Sequence, residues 1–281
     1  NVVHCAIGDR EVIVDGTRNI LRAALESGVK RFVHLSTAEV YGAVRGEIDE
    51  TQSCQYTGSE YADAKIDAEK LCWSYYERGL PVTVLRPPIV YGPFSEDWIL
   101  RLAYRLQSGN WGVFERWGEG LCNLIYVSDL ISGILLASQN DAAIGEAFNL
   151  NGPEAITWNA YFRRLNAAME RPELRNIGPI RLRLSAGAME LVRSSAKFLL
   201  AHWEAPVQKI YQEHQDARAL MQRVEKEIIT TPRLAELSSY SRKVHYSSSK
   251  AQDVLGYDPK VDVDTGLQMS VQWLDHHRLL M

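Results

Sequence analysis

Tyr61 and Lys65 stand four residues apart in the stretch SEYADAK, residues 59–65. That interval is about one helical turn, so a helix would carry both side chains on one face. A phenol beside an ammonium is the raw material of an acid–base pair. Free tyrosine titrates near pH 10, and a nearby cation favours its charged form. A tyrosine held this way can take a proton from a hydroxyl and return it. The same spacing suits a plain surface helix equally well, so the surrounding elements must decide.

Those elements alternate. NVVHCAI is a short β-branched run that reads as a buried strand. DGTRNILRAALESG follows with helical spacing at Ile20, Leu21, Ala24 and Leu25, and Gly28 is a natural stop. KRFVHLST reads as a second buried strand, residues Glu60 to Tyr76 as a helix, and PVTVLRPPIVYGP as a third strand closed by prolines. Buried strands alternating with helices predict an α/β fold, a doubly wound parallel sheet of Rossmann type. Residues 98–121 leave the pattern. NLIYVSDLISGILLAS then supplies a strand end and a helix capped by Ser128 or Asp129, and EAFNLNG one more strand. From Thr157 the chain reads as mostly helical, with a long polar helix from about Pro206 to Ile229 and two helical pieces at the end. The expected division is a cofactor domain over 1–97 and 122–152, and a smaller, mostly helical substrate domain over 98–121 and 153–281. A doubly wound nucleotide-binding fold normally opens on a glycine-rich turn. None follows a strand in this sequence.

Composition narrows the classes. Of 281 residues 46% are hydrophobic and 23% charged, and the net charge is −4, with basic residues dispersed. That balance points to a globular protein with a small-molecule substrate and no nucleic-acid partner. Cys5, Cys54, Cys72 and Cys122 form no CxxC and no Cys/His group, so no metal site is expected, and a reducing, cytoplasmic setting fits them. The opening residues are too few and too polar for a signal peptide. The apolar stretch Leu184 to Leu200 is interrupted by Glu190, Arg193 and Lys197, which excludes a membrane span. It reads as a core-facing helix, with a peripheral amphipathic helix as the alternative.

Six segments, in order, carry a resemblance. VVHCA, VDGTRNILRAALESGVKRFVHLSTAEVYG, YADAK, LRPPIVYGP, YVSDL with FNLNG, and SKAQDVLGYDP resemble the extended short-chain dehydrogenase/reductase family, also called the NAD-dependent epimerase/dehydratase family. The likeness covers nearly the whole chain except residues 175–240. By it, the sequence opens at the family's fourth strand. Roughly 60 to 75 residues of strands and glycine loop would then precede it. A longer chain is therefore expected, since a sheet without its central strand would expose apolar edges.

The resemblance assigns roles. Tyr61 would be the acid–base group and Lys65 its tuning cation, which also binds the nicotinamide ribose. Thr37 would be the catalytic hydroxyl, with Ser36 a structural neighbour that caps the turn. Cys5, Ala6, Ile7, Leu35 and Pro87 would line the cofactor, NAD or NADP, together with Tyr61 and Lys65. A homodimer through the helices at 16–27 and 60–77 is the implied assembly. In STAEVYG, Ala38 replaces the first of the two acidic residues that 4,6-dehydratases use, leaving Glu39, which argues against dehydration. Ile89 stands where many sugar-nucleotide epimerases have a diphosphate-contacting Asn, and Val12 where some relatives have a cofactor-contacting Asn. His4 reads as a packed strand histidine. Arg101, Arg105 and Arg116 could hold phosphate or carboxylate, or form a solvated face; Trp111 and Trp117 could stack on a ligand or simply pack.

The expected function is hydride-transfer chemistry at a hydroxyl or carbonyl carbon, with a nucleotide sugar as first substrate class. A reductase or dehydrogenase of a non-nucleotide alcohol or ketone is the second reading, supported by Ile89. A non-catalytic binding or sensor module on the same fold is the third.

Overall fold

The computed structural model describes residues 1–213 and 215–279, with backbone only at 200 and 204–213. The chain divides into two compact units. The first comprises residues 1–92, 122–156 and 243–266, and the second 93–121, 157–242 and 267–281.

The first unit is built on a four-stranded parallel sheet. Its elements are β1 (Val2–His4), α1 (Gly16–Glu26), β2 (Phe32–Leu35), β3 (Gly46–Ile48), α2 (Glu60–Tyr76), β4 (Val82–Arg86), β5 (Ile89–Tyr91), β6 (Leu124–Tyr126), α3 (Val127–Gln139), β7 (Ala147–Asn149), β8 (Val244–Tyr246) and α4 (Ser249–Leu255). The sheet order is β1-β2-β4-β7, with His4 opposite His34 and His34 opposite Val84. Side chains alternate across the pleat. Phe32, Val82 and Val84 meet Leu21 and Ala24 of α1 and Cys72 and Tyr75 of α2. Val33, Leu35, Leu85 and Phe148 meet Leu130 and Ala137 of α3 and Ala251 and Leu255 of α4. Because both faces of β2 and β4 are covered, these strands read as continuous apolar runs; β1, at the sheet edge with Val3 exposed, is not the buried strand its sequence suggests.

Several expectations need correction. The third strand is two: Pro87 and Pro88 interrupt it, and β5 leaves the main sheet to pair in parallel with β6. Proline has no N–H for the ladder, which accounts for the break. Residues 243–266, expected in the substrate domain, belong to the first unit, because β8 pairs with β3 and α4 packs into the sheet's core. Neither Ser128 nor Asp129 caps α3. Its N-cap is Tyr126, and the Asp129 carboxylate instead accepts the backbone N–H groups of Lys260 and Val261 at 3.1 and 3.0 Å.

The second unit holds helices Arg101–Gln107, Trp158–Ala168, Pro179–Glu213, Gln215–Thr230 and Leu234–Tyr240, and one small parallel pair, Val113–Phe114 with Asn176–Ile177. The polar helix expected over 206–229 is therefore shared between two helices, and its residue 214 lies outside the described residues. Trp111, Phe114, Phe162 and Tyr240 form this unit's aromatic core.

A buried ion pair ties α2 to the sheet. Arg86 grips Glu69 with two parallel bonds, Nε to Oε1 at 3.0 Å and Nη2 to Oε2 at 2.6 Å. Its Nη1 donates to the Tyr41 hydroxyl at 2.9 Å, which donates to Asn149 Oδ1 at 2.7 Å. Removing one partner strands a charge in the interior. Glu69→Leu is expected to cost about 3–5 kcal/mol, and the double variant Arg86→Met/Glu69→Leu less than that single change. Urea unfolding of the three proteins decides it; a double variant weaker than Glu69→Leu would refute the charge-stranding account.

Candidate active site

The sequence folds α2 into place with local devices. Ser59 caps it by accepting the Ala62 N–H at 3.4 Å. The Asp63 carboxylate accepts the N–H groups of Thr57 and Gly58, both at 2.9 Å, and Gly58 supplies the left-handed turn at φ +80°. Small residues on the inner face, Ala64 and Ala68, let the helix close on Ala6, Ile13 and Val14.

Lys65 is buried here, 1% exposed. Its Nζ donates to the carbonyl oxygens of Ala6 at 2.7 Å and Leu35 at 2.9 Å, just past the end of β1 and at the end of β2. Two of its three donors are thus used, and one remains for a ligand hydroxyl. Burial lowers its pKa. Tyr61 lies one turn earlier, 36% exposed, with the Lys65 ammonium 5.7 Å from its ring centre.

The phenol departs from expectation. Burial and then the Glu39 carboxylate push the Tyr61 pKa up to about 12, while the Thr37 hydroxyl pulls it back. In this geometry Tyr61 is protonated at neutral pH: the Lys65 ammonium, 5.7 Å from its ring centre, does not outweigh burial and Glu39.

Thr37 and Ser36 exchange the secondary role foreseen for Ser36. Thr37 is the residue that caps the turn Ala38–Tyr41, its Oγ accepting the Glu39 N–H at 3.2 Å. Ser36 is buried, and its hydroxyl has no hydrogen-bond partner among the described residues. Leu35 and Pro87 are also buried, Pro87 O accepting the Ala38 N–H at 2.9 Å. Cys5 and Ile7 are exposed beyond β1. Thr37, Tyr61, Lys65, Ala6 and Leu35 therefore converge at the carboxyl ends of β1 and β2. Among the described residues, no group of three or more His, Cys, Asp or Glu residues could hold a metal ion.

Sequence reasoning missed His34. It is fully buried, its ring 5.6 Å from that of His4, and neither nitrogen has a partner among the described residues. Burial, then Lys65 and His4, hold its pKa well below that of an ordinary histidine. His4 shares the downward direction, from burial and then Lys65, and its Nε2 meets Thr17 Oγ1 at 2.9 Å. The signal was the period of two in FVHLST, which puts His34 on the face of Phe32.

In the second unit Trp111 packs, as one of its two readings had it, while Arg105 is buried rather than part of a solvated face. Arg105 donates to the Ile229 carbonyl at 3.0 Å and to Glu236 at 2.9 Å, and its guanidinium lies 4.6 Å from the Trp111 ring centre. Trp111 is buried. Arg101 pairs with Asp97 at the surface. Arg116 is exposed at φ +65° and Trp117 partly buried.

The model of the NAD dependent epimerase/dehydratase family matches residues 9–151. This chain belongs to that family. A dTDP-D-glucose 4,6-dehydratase of Mus musculus is 34% identical over 143 residues, covering 50% of this chain and 40% of the mouse protein. A 3beta-hydroxysteroid-dehydrogenase/decarboxylase of Arabidopsis thaliana is 25% identical over 281 residues, covering 94% of this chain and 58% of its own. The chain thus spans about half the length of these curated relatives. Among solved structures, the UDP-glucose 4-epimerase of Thermotoga maritima, crystallised with UDP-glucose, superposes with a TM-score of 0.64 at 22% identity. That match covers 96% of this chain and 71% of the epimerase, and it establishes the shared fold.

The Tyr61 environment is measurable. In an alkaline absorbance titration, the difference between the wild type and Tyr61→Phe is expected to show one phenol titrating near pH 12, well above the ordinary value near 10. Glu39→Gln removes one raising influence and is expected to lower that midpoint. A difference curve centred at pH 10 would contradict the burial argument.

Proposed function

We propose that the chain carries the catalytic centre of an NAD(P)-dependent epimerase or oxidoreductase acting on a hydroxyl or carbonyl carbon, with a nucleotide sugar as first substrate class. The observation that carries this reading is the buried Lys65 ammonium, fixed by the Ala6 and Leu35 carbonyls with one donor spare and Tyr61 one turn away. The residues present fit the nicotinamide-ribose half of such a cofactor. Lys65 would hold the ribose hydroxyls, with Leu35, Ala6 and Pro87 around it. Bound nicotinamide supplies the hydride acceptor and donor.

The chain's own groups move the proton. With its pKa near 12, Tyr61 is the acid that gives its proton to a carbonyl oxygen during reduction. In the oxidative direction it must accept the hydroxyl proton, which requires added positive potential beside it. Thr37 orients the same oxygen by donating to it. In an epimerase both half-reactions occur in turn, so the proton leaves and returns and no net oxidation results.

Specific observations favour a second substrate class, a non-nucleotide alcohol or ketone. Ile89 offers no hydrogen bond to a diphosphate, and Arg105 and Trp111 are committed to packing. The match to the plant steroid enzyme, at 25% identity, extends over 94% of this chain. A homodimer through α1 and α2 belongs to the same proposal, supported by the exposed Ile20 and Tyr76 on those helices.

The test is a turnover screen of the intact protein against UDP- and dTDP-sugars, simple ketones and sterols, with NAD(H) and NADP(H). Tyr61→Phe is expected to lower kcat by about 10²–10⁴-fold while cofactor affinity, read by fluorescence titration, stays unchanged. Lys65→Met is expected to weaken cofactor binding as well. No cofactor binding and no turnover would leave the non-catalytic module as the surviving reading.

A further inference from the structure

The helix beginning at Pro179 is folded inside out relative to its sequence expectation. Its 100° periodicity puts Leu182 and Ala186 on one side, and both are buried. Arg193 anchors the same side, donating to the Ile228 carbonyl at 2.8 Å and to Glu190 at 3.1 Å. The opposite side carries Ile180, Leu184, Leu191 and Phe198, at intervals of 4, 7 and 7 residues, which return to one face of a helix. These four are 76%, 68%, 72% and 59% exposed. The apolar stretch expected to face a core thus faces outward. Trp203, 57% exposed, ends the run where the backbone leaves helical geometry at φ −135°.

Charge decides what such a face suits. Within residues 179–203, Arg181, Arg183, Arg193 and Lys197 oppose a single acid, Glu190, which is paired with Arg193. Arg181, Arg183 and Lys197 are exposed. The whole chain is negative, at −4, so this is a local basic island around an apolar stripe. No helix among the described residues is long and apolar enough to cross a membrane. An exposed apolar stripe flanked by arginines, on a helix too polar to span, is the pattern of a helix lying in the headgroup layer. Its basic flank adds attraction to anionic lipid.

We propose that the outward face of helix Pro179–Glu213 ahead of its break at Trp203, formed by Ile180, Leu184, Leu191 and Phe198 with Arg181 and Arg183 flanking it, docks this protein on an anionic phospholipid surface. The four apolar side chains enter the acyl boundary, and the basic side chains meet lipid phosphates. The inference is independent of the substrate assigned above.

Co-sedimentation of the intact protein with vesicles of phosphatidylcholine, with and without phosphatidylserine, tests it. Binding is expected on the phosphatidylserine vesicles and is expected to weaken as salt rises. Leu184→Asp/Leu191→Asp is expected to lose that binding by at least about tenfold, and Arg181→Glu/Arg183→Glu to lose the preference for phosphatidylserine. All four positions are exposed, so thermal melts matching the wild type are expected and verify that the variants are folded. Failure to sediment with phosphatidylserine vesicles, or equal binding by the Asp variant, overturns the proposal. A concentration-dependent oligomer dissolved by Leu184→Asp/Leu191→Asp would assign the face to a second copy and overturn it equally.

Discussion

The site depends on one buried cation. An ammonium taken out of water costs several kcal/mol unless its donors are matched, and Lys65 has two backbone carbonyls to match them. Those carbonyls belong to residues at the ends of adjacent parallel strands, so the bond pair exists only while β1 and β2 keep their register. It also requires α2 to approach closely, which the small side chains Ala64 and Ala68 permit. Strand register, helix approach and ammonium position are thus one constraint. Tyr61 inherits its place from it, one turn nearer the surface on the same helix.

Much of this was legible in the residues. The central strands β2 and β4 announced themselves as apolar runs because both their faces are covered, and Gly28 marked the end of α1. Tyr61, Lys65 and Thr37 were singled out by the family resemblance, because their spacing alone suits any helix, and the structure places Thr37 just past β2 and the other two one turn apart on α2. The pairing of β8 with β3 was not visible, since it joins residues nearly 200 positions apart through three-residue strands with no periodicity to read. Nor was the Ser36 and Thr37 exchange: which of two adjacent hydroxyls caps a turn depends on the backbone angles at the strand end.

The second unit shows why binding-type residues are poor signals alone. Arg105 and Trp111 have the chemistry to grip phosphate or stack on a base. Here the guanidinium lies against the indole face, an attractive cation–π arrangement, and its N–H groups close the Ile229 carbonyl and Glu236. Cation and aromatic satisfy one another inside the fold. The apolar run 184–200 misled in the opposite sense: its hydrophobicity suggested a core-facing helix, but hydrophobicity does not say on which side the neighbours lie.

The turn at Thr37 has a consequence for its hydroxyl. Its oxygen accepts the Glu39 N–H, which uses one of two lone pairs and leaves one proton to give and one lone pair to accept with. The backbone thus pins the oxygen in place without choosing a direction for it. Thr37 can take a hydrogen bond from a protonated neighbour and give one to a charged neighbour, so the hydroxyl is a two-way relay. Valine at this position would keep the strand end and remove both halves of the relay.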